Sequence, residues 1–457
     1  MASVEPSEFL DLDADRPALT LVAAGPDEVQ AGGSPLAAGD FNGDGATDLL
    51  VGAPFADGPD DSRTDGGEAY VVFGPRKQGE VQLKGGLVDL VVYGALAGDN
   101  LGYSVAAGDL NDDGMDDIVV GAPASNGLTN IRTDLGEAYI IYGSRSLGGR
   151  VDLARREQDF TFRPAEGFTR VGTSFAVGDV NDDGVDDLVA GGPFGGRVEG
   201  TPAGSPRTTE GEVYVLFGGP GLRGDWDLAE QPVDVRLKGE GERDNFGQAV
   251  AVGDVNGDGV DDIIASASRA DGPGEARQEG GEAFVFFGSK ALSGLVRSAA
   301  ADVTVYAAEA RDGLGEMATA GDLNGDGLAD IVLSARVAGG PHNLRPTAGD
   351  AYVIYGSPGL SGVIDLAEET PGAVVYGRDA DDAMPSALAA ADADGDGRDD
   401  LALGAGQGDG PENDRPNAGE VYVLFGAPQG EVDLRVHVEG KLFIFGADEE
   451  EQAGMAL

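Results

Sequence analysis

The chain has 457 residues, with 30 Lys+Arg against 82 Asp+Glu, a formal charge of −52, two His and no Cys. So acidic a balance excludes direct binding of nucleic acid or of an anionic membrane, both of which need a basic surface. The lack of Cys removes disulfides, thiolate metal sites and a cysteine nucleophile, and His342 and His437 leave little for histidine catalysis or zinc.

Hydrophobic residues make up 41% of the chain, enough for a core, so the acidity does not imply disorder. The opening MASVEPSEFL lacks a basic stretch and an apolar stretch of the kind a secretory leader has. No run approaches the roughly 18 apolar residues of a membrane helix. If the protein is exported, its signal is absent from this chain. Residues 8–24 contain two short apolar runs, Phe9-Leu-Asp-Leu and Leu19-Thr-Leu-Val.

From Asp40 onward a unit repeats about every 70 residues. Its acidic loop starts at Asp40, Asp109, Asp179, Asp254, Asp322 and Asp392. Each loop is preceded by a run of small residues, such as YSVAAG from Tyr103, and followed by an apolar run, such as LLVGAP from Leu49 or IVVGAP from Ile118. Next comes an alternating run ending in glycine, EAYVVFG from Glu68 being the first and EVYVLFG from Glu420 the last. A further apolar run closes the unit, as in VDLVVYG from Val88 and KLFIFGA from Lys441. These runs are short, rich in β-branched and aromatic residues, and bounded by Gly and Asp, so they predict about four strands per unit and no helices. Sheets of four strands at a fixed period predict a β-propeller, with the small-residue strand at the crowded centre.

Each acidic loop alternates oxygen-bearing side chains at positions 1, 3 and 5, has Gly at position 6 for a sharp bend, and ends on Asp at position 9. The first loop offers Asp40, Asn42, Asp44, the carbonyl of Ala46 and Asp48. The second offers Asp109, Asn111, Asp113, the Met115 carbonyl and Asp117, and the third Asp179, Asn181, Asp183, the Val185 carbonyl and Asp187. The fourth offers Asp254, Asn256, Asp258, the Val260 carbonyl and Asp262, and the fifth Asp322, Asn324, Asp326, the Leu328 carbonyl and Asp330. The sixth offers Asp392, Asp394, Asp396, the Arg398 carbonyl and Asp400. Hard oxygen donors without nitrogen or sulfur suit Ca²⁺, better than Mg²⁺ with its strict octahedron. Asp, Asn and Gly also make good hairpin turns, which explains one such loop but not six that keep the ninth-position Asp. The expectation is about six structural Ca²⁺ ions and no catalytic residue.

The order of these motifs resembles FG-GAP repeats, the blades of the integrin α-subunit propeller and of many bacterial surface proteins. The FG pair departs to Leu101-Gly102, Val171-Gly172, Leu314-Gly315 and Met384-Pro385, and GAP to Ser266-Ala267-Ser268, Ser334-Ala335-Arg336 and Gly404-Ala405-Gly406. The resemblance implies a calcium-binding, extracellular or cell-surface scaffold for adhesion or protein interaction, holding a protein or glycan ligand on one propeller face, and no enzyme. A carbohydrate-binding lectin is the alternative reading. A polysaccharide lyase or hydrolase is a further one, with the long Phe194–Thr209 loop as its only sequence candidate.

Three other features bear on partners. Arg63, Arg132, Arg207, Arg277, Arg345 and Arg415 recur at one offset before the alternating run; they read as local ion pairs fixing a loop rather than a ring for an anionic ligand. Arg223-Gly224-Asp225 spells a tripeptide that integrins recognise, but Gly and Asp are so abundant here that chance accounts for it. Tyr70, Tyr139, Tyr214, Phe284, Tyr352 and Tyr422 recur at one strand position and read as core. The expected fold is a single all-β propeller over residues 1–457, with six complete repeats and flanking strands of a partial seventh blade from residues 8–24 and 446–457. Outer strands number seven against six loops, so a seven-bladed design with a truncated last blade is favoured over six blades. Its open edges invite self-association.

Overall fold

The computed structural model describes residues 9–11, 19–22, 35–75, 79–83, 88–127, 133–165, 167–195, 209–410, 413–436, 441–446 and 452–457. The architecture is all-β, a six-bladed β-propeller. The chain divides into two units. One comprises Ala18–Val250 and Gly288–Ala299, and the other Met1–Pro17, Ala251–Phe287 and Ala300–Leu457.

Blade 2 shows the pattern. Val105–Gly108, Asp117–Ala122, Glu137–Ile141 and Phe160–Arg163 form an antiparallel sheet in that order. The second and third strands are buried along their whole length, which is why they read as continuous apolar runs rather than as alternation. A fifth strand then adds: Gly224–Asp227, from the next repeat, lies parallel on Phe160–Arg163. Four strands per blade were expected, and the structure has five. The fifth is four residues long and leaves its own repeat to cover the edge of the preceding blade, so no local pattern announces it.

Blades 1 and 3 share the first unit. Blade 1 is Leu36–Gly39, Asp48–Ala53, Glu68–Val72 and Leu90–Tyr93 with the edge strand Gly149–Asp152. Blade 3 is Ser174–Gly178, Asp187–Gly192, Glu212–Leu216 and Val235–Lys238 with Gly294–Arg297. Blade 4 is Phe246–Gly253, Asp262–Ala267, Glu282–Phe286 and Val303–Tyr306 with Gly362–Asp365. Blade 5 is Leu314–Gly321, Asp330–Ala335, Asp350–Ile354 and Ala373–Tyr376 with Gly430–Asp433. Blade 6 is Ala387–Ala391, Asp400–Ala405, Glu420–Leu424 and Lys441–Phe445.

The edge strand of blade 6 comes from the N-terminal segment: Phe9–Asp11 lies parallel on Phe443, Ile444 and Phe445. The second N-terminal run, Leu19–Val22, pairs in parallel with Gly79–Gln82 as a separate two-stranded sheet. The surplus outer strand is therefore real, but there are six blades, not seven. Among the described residues no second or third strand links Leu19–Val22 to a blade of its own. At the other end, Ala453 bridges Gly419 and the Gly454 carbonyl accepts from Ser386 Oγ at 2.8 Å.

That last contact belongs to a recurring seam. A Cβ on Gly52 would run into the carbonyl of Gly102, one on Gly121 into Gly172, one on Gly191 into Gly247 and one on Gly404 into Gly454. The glycine of each GAP motif thus lets the backbone of the next repeat approach closely. In blade 4 Ser266 takes that place, and its hydroxyl donates to the Gly315 carbonyl at 2.6 Å. The core lies between neighbouring sheets; Phe160, Phe162, Leu188 and Tyr214 pack in one such cluster. The recurring aromatics are buried, from Tyr422 at 0% exposed to Phe284 at 7%.

Candidate metal centres

Each acidic loop joins the first strand of a blade to its second. In the first loop Asp40 Oδ1 and Oδ2 accept from the N–H groups of Asp44 and Gly45 at 3.0 and 2.8 Å. Asp44 Oδ1 accepts from Ala46 N–H at 2.9 Å. Asp48 begins the second strand and is buried; its Oδ2 accepts from Phe41 N–H at 3.1 Å and its Oδ1 from Gly74 N–H at 2.8 Å. Positions 1, 5, 6, 7 and 9 are thereby folded onto one turn.

The other five loops repeat this geometry. Asp109, Asp179, Asp254, Asp322 and Asp392 each receive the position-6 glycine N–H at 2.8 to 3.0 Å. Asp113, Asp183, Asp258, Asp326 and Asp396 each receive the position-7 N–H, from Met115, Val185, Val260, Leu328 and Arg398, at 2.9 to 3.1 Å. Asp117, Asp187, Asp262, Asp330 and Asp400 are buried and receive the position-2 N–H at 3.0 or 3.1 Å. Asn111, Asn181, Asn256 and Asn324 donate their side-chain amides to that same ninth-position carboxylate at 3.0 to 3.3 Å.

Two observations bear on whether an ion fits. Asn42 Oδ1, the position-3 oxygen of the first loop, is buried with no hydrogen-bond partner. In the sixth loop, where position 3 is Asp394, carboxylate oxygens of Asp392, Asp394 and Asp400 all lie within 4.8 Å of one another. The electrostatics agree. Burial, and after it the carboxylates of Asp113 and Asp109, push Asp117 up to about 7, against two hydrogen bonds that pull it down. Asp187 is likewise raised to about 7 and Asp330 to about 6. A cation among these oxygens would replace repulsion by attraction.

Two functions of these loops escaped sequence reasoning. The ninth-position aspartate also ties the loop to the end of the third strand, through Gly74, Gly143, Gly218, Gly356 and Gly426 at 2.8 or 2.9 Å. The eighth-position aspartate reaches the previous loop: Asp116, Asp186 and Asp399 accept from the N–H of Asp40, Asp109 and Asp322 at 2.7 to 2.9 Å. The paired Asp-Asp in the sequence was the available signal.

The described recurring arginines bond to carbonyls and, in three cases, to a carboxylate, but that carboxylate is not local as expected: it lies 88 or 89 residues on, in the edge strand of the next repeat. Arg63 donates to both oxygens of Asp152 at 2.7 and 3.0 Å and to the Gly94 carbonyl at 2.6 Å. Arg277 does the same with Asp365 at 2.6 and 2.8 Å and the Ala307 carbonyl at 2.6 Å. Arg345 holds Asp433 and the carbonyls of Gly377 and Arg378, and Arg415 the Gly446 carbonyl. The aspartates end the edge strands, so each pair clasps one repeat to the strand donated by the next. Arg132, Arg207 and residues 196–208 of the long loop lie outside the described residues. In the Arg-Gly-Asp tripeptide, Arg223 stacks over Tyr142 and Asp225 pairs with Arg163 at 3.1 Å.

Loops of this kind, set between the first two strands of every blade, define a propeller of repeated acidic-loop units. The chain carries FG-GAP repeats: the FG-GAP repeat model matches residues 32–72, 101–141, 171–216, 246–286 and 384–424. The fifth repeat, which contains Asp322, lies outside the matched stretches. The chain is homologous to integrin alpha subunits, being 33% identical over 199 residues to integrin alpha pat-2 of Caenorhabditis elegans (42% of this chain, 14% of that protein). It is 28% identical over 255 residues to integrin alpha-5 of Xenopus laevis (52% and 20%). It is also 34% identical over 192 residues to phosphatidylinositol-glycan-specific phospholipase D of Bos taurus (41% and 21%). The chain spans about a fifth or less of the length of these curated relatives.

Proposed function

We propose that the chain is a calcium-binding scaffold for adhesion or protein interaction that works outside the cell or at its surface. The observation that carries this reading is the acidic loop itself, six times built to one hydrogen-bonding plan, with an orphaned oxygen at Asn42 and crowded carboxylates at Asp392, Asp394 and Asp400. Positions 1, 3, 5 and 9 and the position-7 carbonyl would hold the ion. The ion would close the turn between two strands, so its role is structural. Ca²⁺ at extracellular millimolar levels would fill sites of modest affinity that cytosolic levels leave empty.

Similarity to integrin alpha subunits supports the adhesion role, with a protein or glycan as ligand. The phospholipase D match covers 21% of that enzyme and does not bring its chemistry to this chain. Among the described residues no helix is long and apolar enough to cross a membrane.

Calcium should therefore hold the fold together. If each site binds at roughly 10–100 μM, millimolar Ca²⁺ adds about 1.4–2.7 kcal/mol per site by mass action. The melting temperature should rise with Ca²⁺, fall with chelator and recover on re-addition, and native mass spectrometry should count about six ions. A melting temperature indifferent to chelator would sink the reading.

A further inference from the structure

In blades 2, 3 and 6 the buried glutamate that opens the third strand is neutralised by an arginine of the chain itself. Arg163 pairs with Glu137, Arg236 with Glu212 and Arg378 with Glu420. The three arginines start from three different places. Arg163 ends the fourth strand of blade 2, and Arg236 lies opposite Tyr214 on the fourth strand of blade 3. Arg378 lies two residues beyond the fourth strand of the preceding blade. In these blades the tyrosine two residues on, Tyr139, Tyr214 or Tyr422, donates its hydroxyl to the same glutamate.

Blade 5 departs at each of these points. Its third strand opens with Asp350, one methylene shorter than glutamate. Opposite Asp350 stands Tyr376, the register place of Arg163, and opposite Tyr352 stands Val374, the register place of Arg236. Ala308, two residues beyond the fourth strand of blade 4, takes the place of Arg378. Asp350 is 4% exposed, and its Oδ1 has no hydrogen-bond partner. Arg345 acts on it electrostatically, but its Nη1 donates to the Gly377 and Arg378 carbonyls and to Asp433 at 2.5, 3.1 and 2.8 Å. Burial, and next Asp312, push the Asp350 carboxyl up to about 7.

Where blades 2, 3 and 6 hold an arginine, blade 5 holds a cavity of about 320 Å³. Asp350, Tyr352, Tyr376, Val374 and Ala308 all line it, and Glu309 and Asp312 place two more carboxylates on its wall. We propose that this cavity binds an alkylguanidinium group from outside the chain, with Asp350 as its buried counter-ion. The chain shows three times that a guanidinium satisfies the carboxylate at this strand position. Two tyrosine rings beside it suit a flat, weakly hydrated cation. The volume sits at the lower end of small-molecule pockets, about 300–1,000 Å³. The guanidinium could be carried by a free ligand or by an arginine side chain of a partner protein.

The test is calorimetric titration of the calcium-loaded full chain with agmatine, with a blocked Gly-Arg-Gly peptide, and with n-butylurea as a neutral isostere. Agmatine and the peptide should saturate one site while the urea does not bind; a tighter peptide points to a partner's side chain, a tighter agmatine to a free ligand, and either supports the site. Asp350→Asn should weaken binding by about tenfold to a hundredfold, the range for a lost charged hydrogen bond. Ala308→Arg, which restores the internal cation at the place Arg378 holds in its blade, should abolish binding and raise the melting temperature. Because that second variant is expected to be more stable, its loss of binding would not be a failure to fold. Undiminished binding in Ala308→Arg, equal binding of the urea, displacement of agmatine by additional Ca²⁺, or no binding at all would each overturn the proposal.

Discussion

Asp382 is 3% exposed, and its carboxyl is pushed up to about 8, first by burial and then by the charges of Glu420 and Asp379. An unfolded aspartate ionises near 3.8. Between those two values the unfolded chain has released a proton that the fold retains, so this group's contribution to stability falls as the pH rises through that window. Asp99 has the same place before its blade's FG-like pair and is raised to about 7. Asn can keep the hydrogen bond that Asp382 accepts from Asp379 N–H at 3.2 Å without the charge. Asp382→Asn should therefore come closest to the wild type in thermal melts near pH 4, at the foot of that window, and exceed it at about pH 9, by a gap that widens up to about pH 8. A gap that is constant with pH would show that Asp382 ionises normally in the fold.

At the scale of the element, the arginine clasp ties a repeat to the edge strand donated by the next. Arg277 reaches Asp365, 88 residues on, and each guanidinium also satisfies a carbonyl beyond its own fourth strand. Arg277 holds the Asp365 carboxyl below its usual value, so this stabilisation is present above the unfolded pKa and is lost as the pH falls through the folded one. Arg277→Ala should cost about 1–3 kcal/mol in denaturant melts at neutral pH, as for hydrogen bonds to charged groups, and Asp365→Ala should add little once the arginine is gone. Full additivity of the two substitutions would mean that the pair is not coupled. The strands themselves and the loop positions 1, 5 and 9 were legible in the sequence because both are local: spacing within nine residues sets a turn, and an apolar run between glycines sets a strand. The edge strand was not legible, since Gly224–Asp227 is four residues long and the period of its side chains says which way they face but not which sheet they join. The Asp116-to-Asp40 bond was missed for the same reason, its partners being 76 residues apart. Arginine recurrence was legible, whereas its carboxylate partner needed the edge strand to be known first.

On the scale of the whole molecule, every blade ends in an edge strand supplied by another part of the chain, and for blade 6 that supply is the N-terminal segment. Phe9–Asp11 covers Lys441–Phe445, and Asp11 lies opposite Phe445 at the register position that Asp152, Asp365 and Asp433 hold in blades 1, 4 and 5. The strand beneath reads Lys-Leu-Phe-Ile-Phe, the kind of apolar sequence that pairs with other chains when its backbone is uncovered. Deleting residues 1–11 should uncover that row of N–H and C=O groups and turn the protein toward self-association. The charge of −52 opposes such contact between copies. Added salt, by screening that repulsion, should strengthen the association of the deletion variant. Sedimentation velocity across a concentration and salt series would read this, with the full chain as reference and a peptide spanning residues 5–13 as competitor. Dimers that grow with salt and dissolve on adding the peptide are expected. A deletion variant that sediments like the full chain under every condition would show that the edge of blade 6 needs no cover.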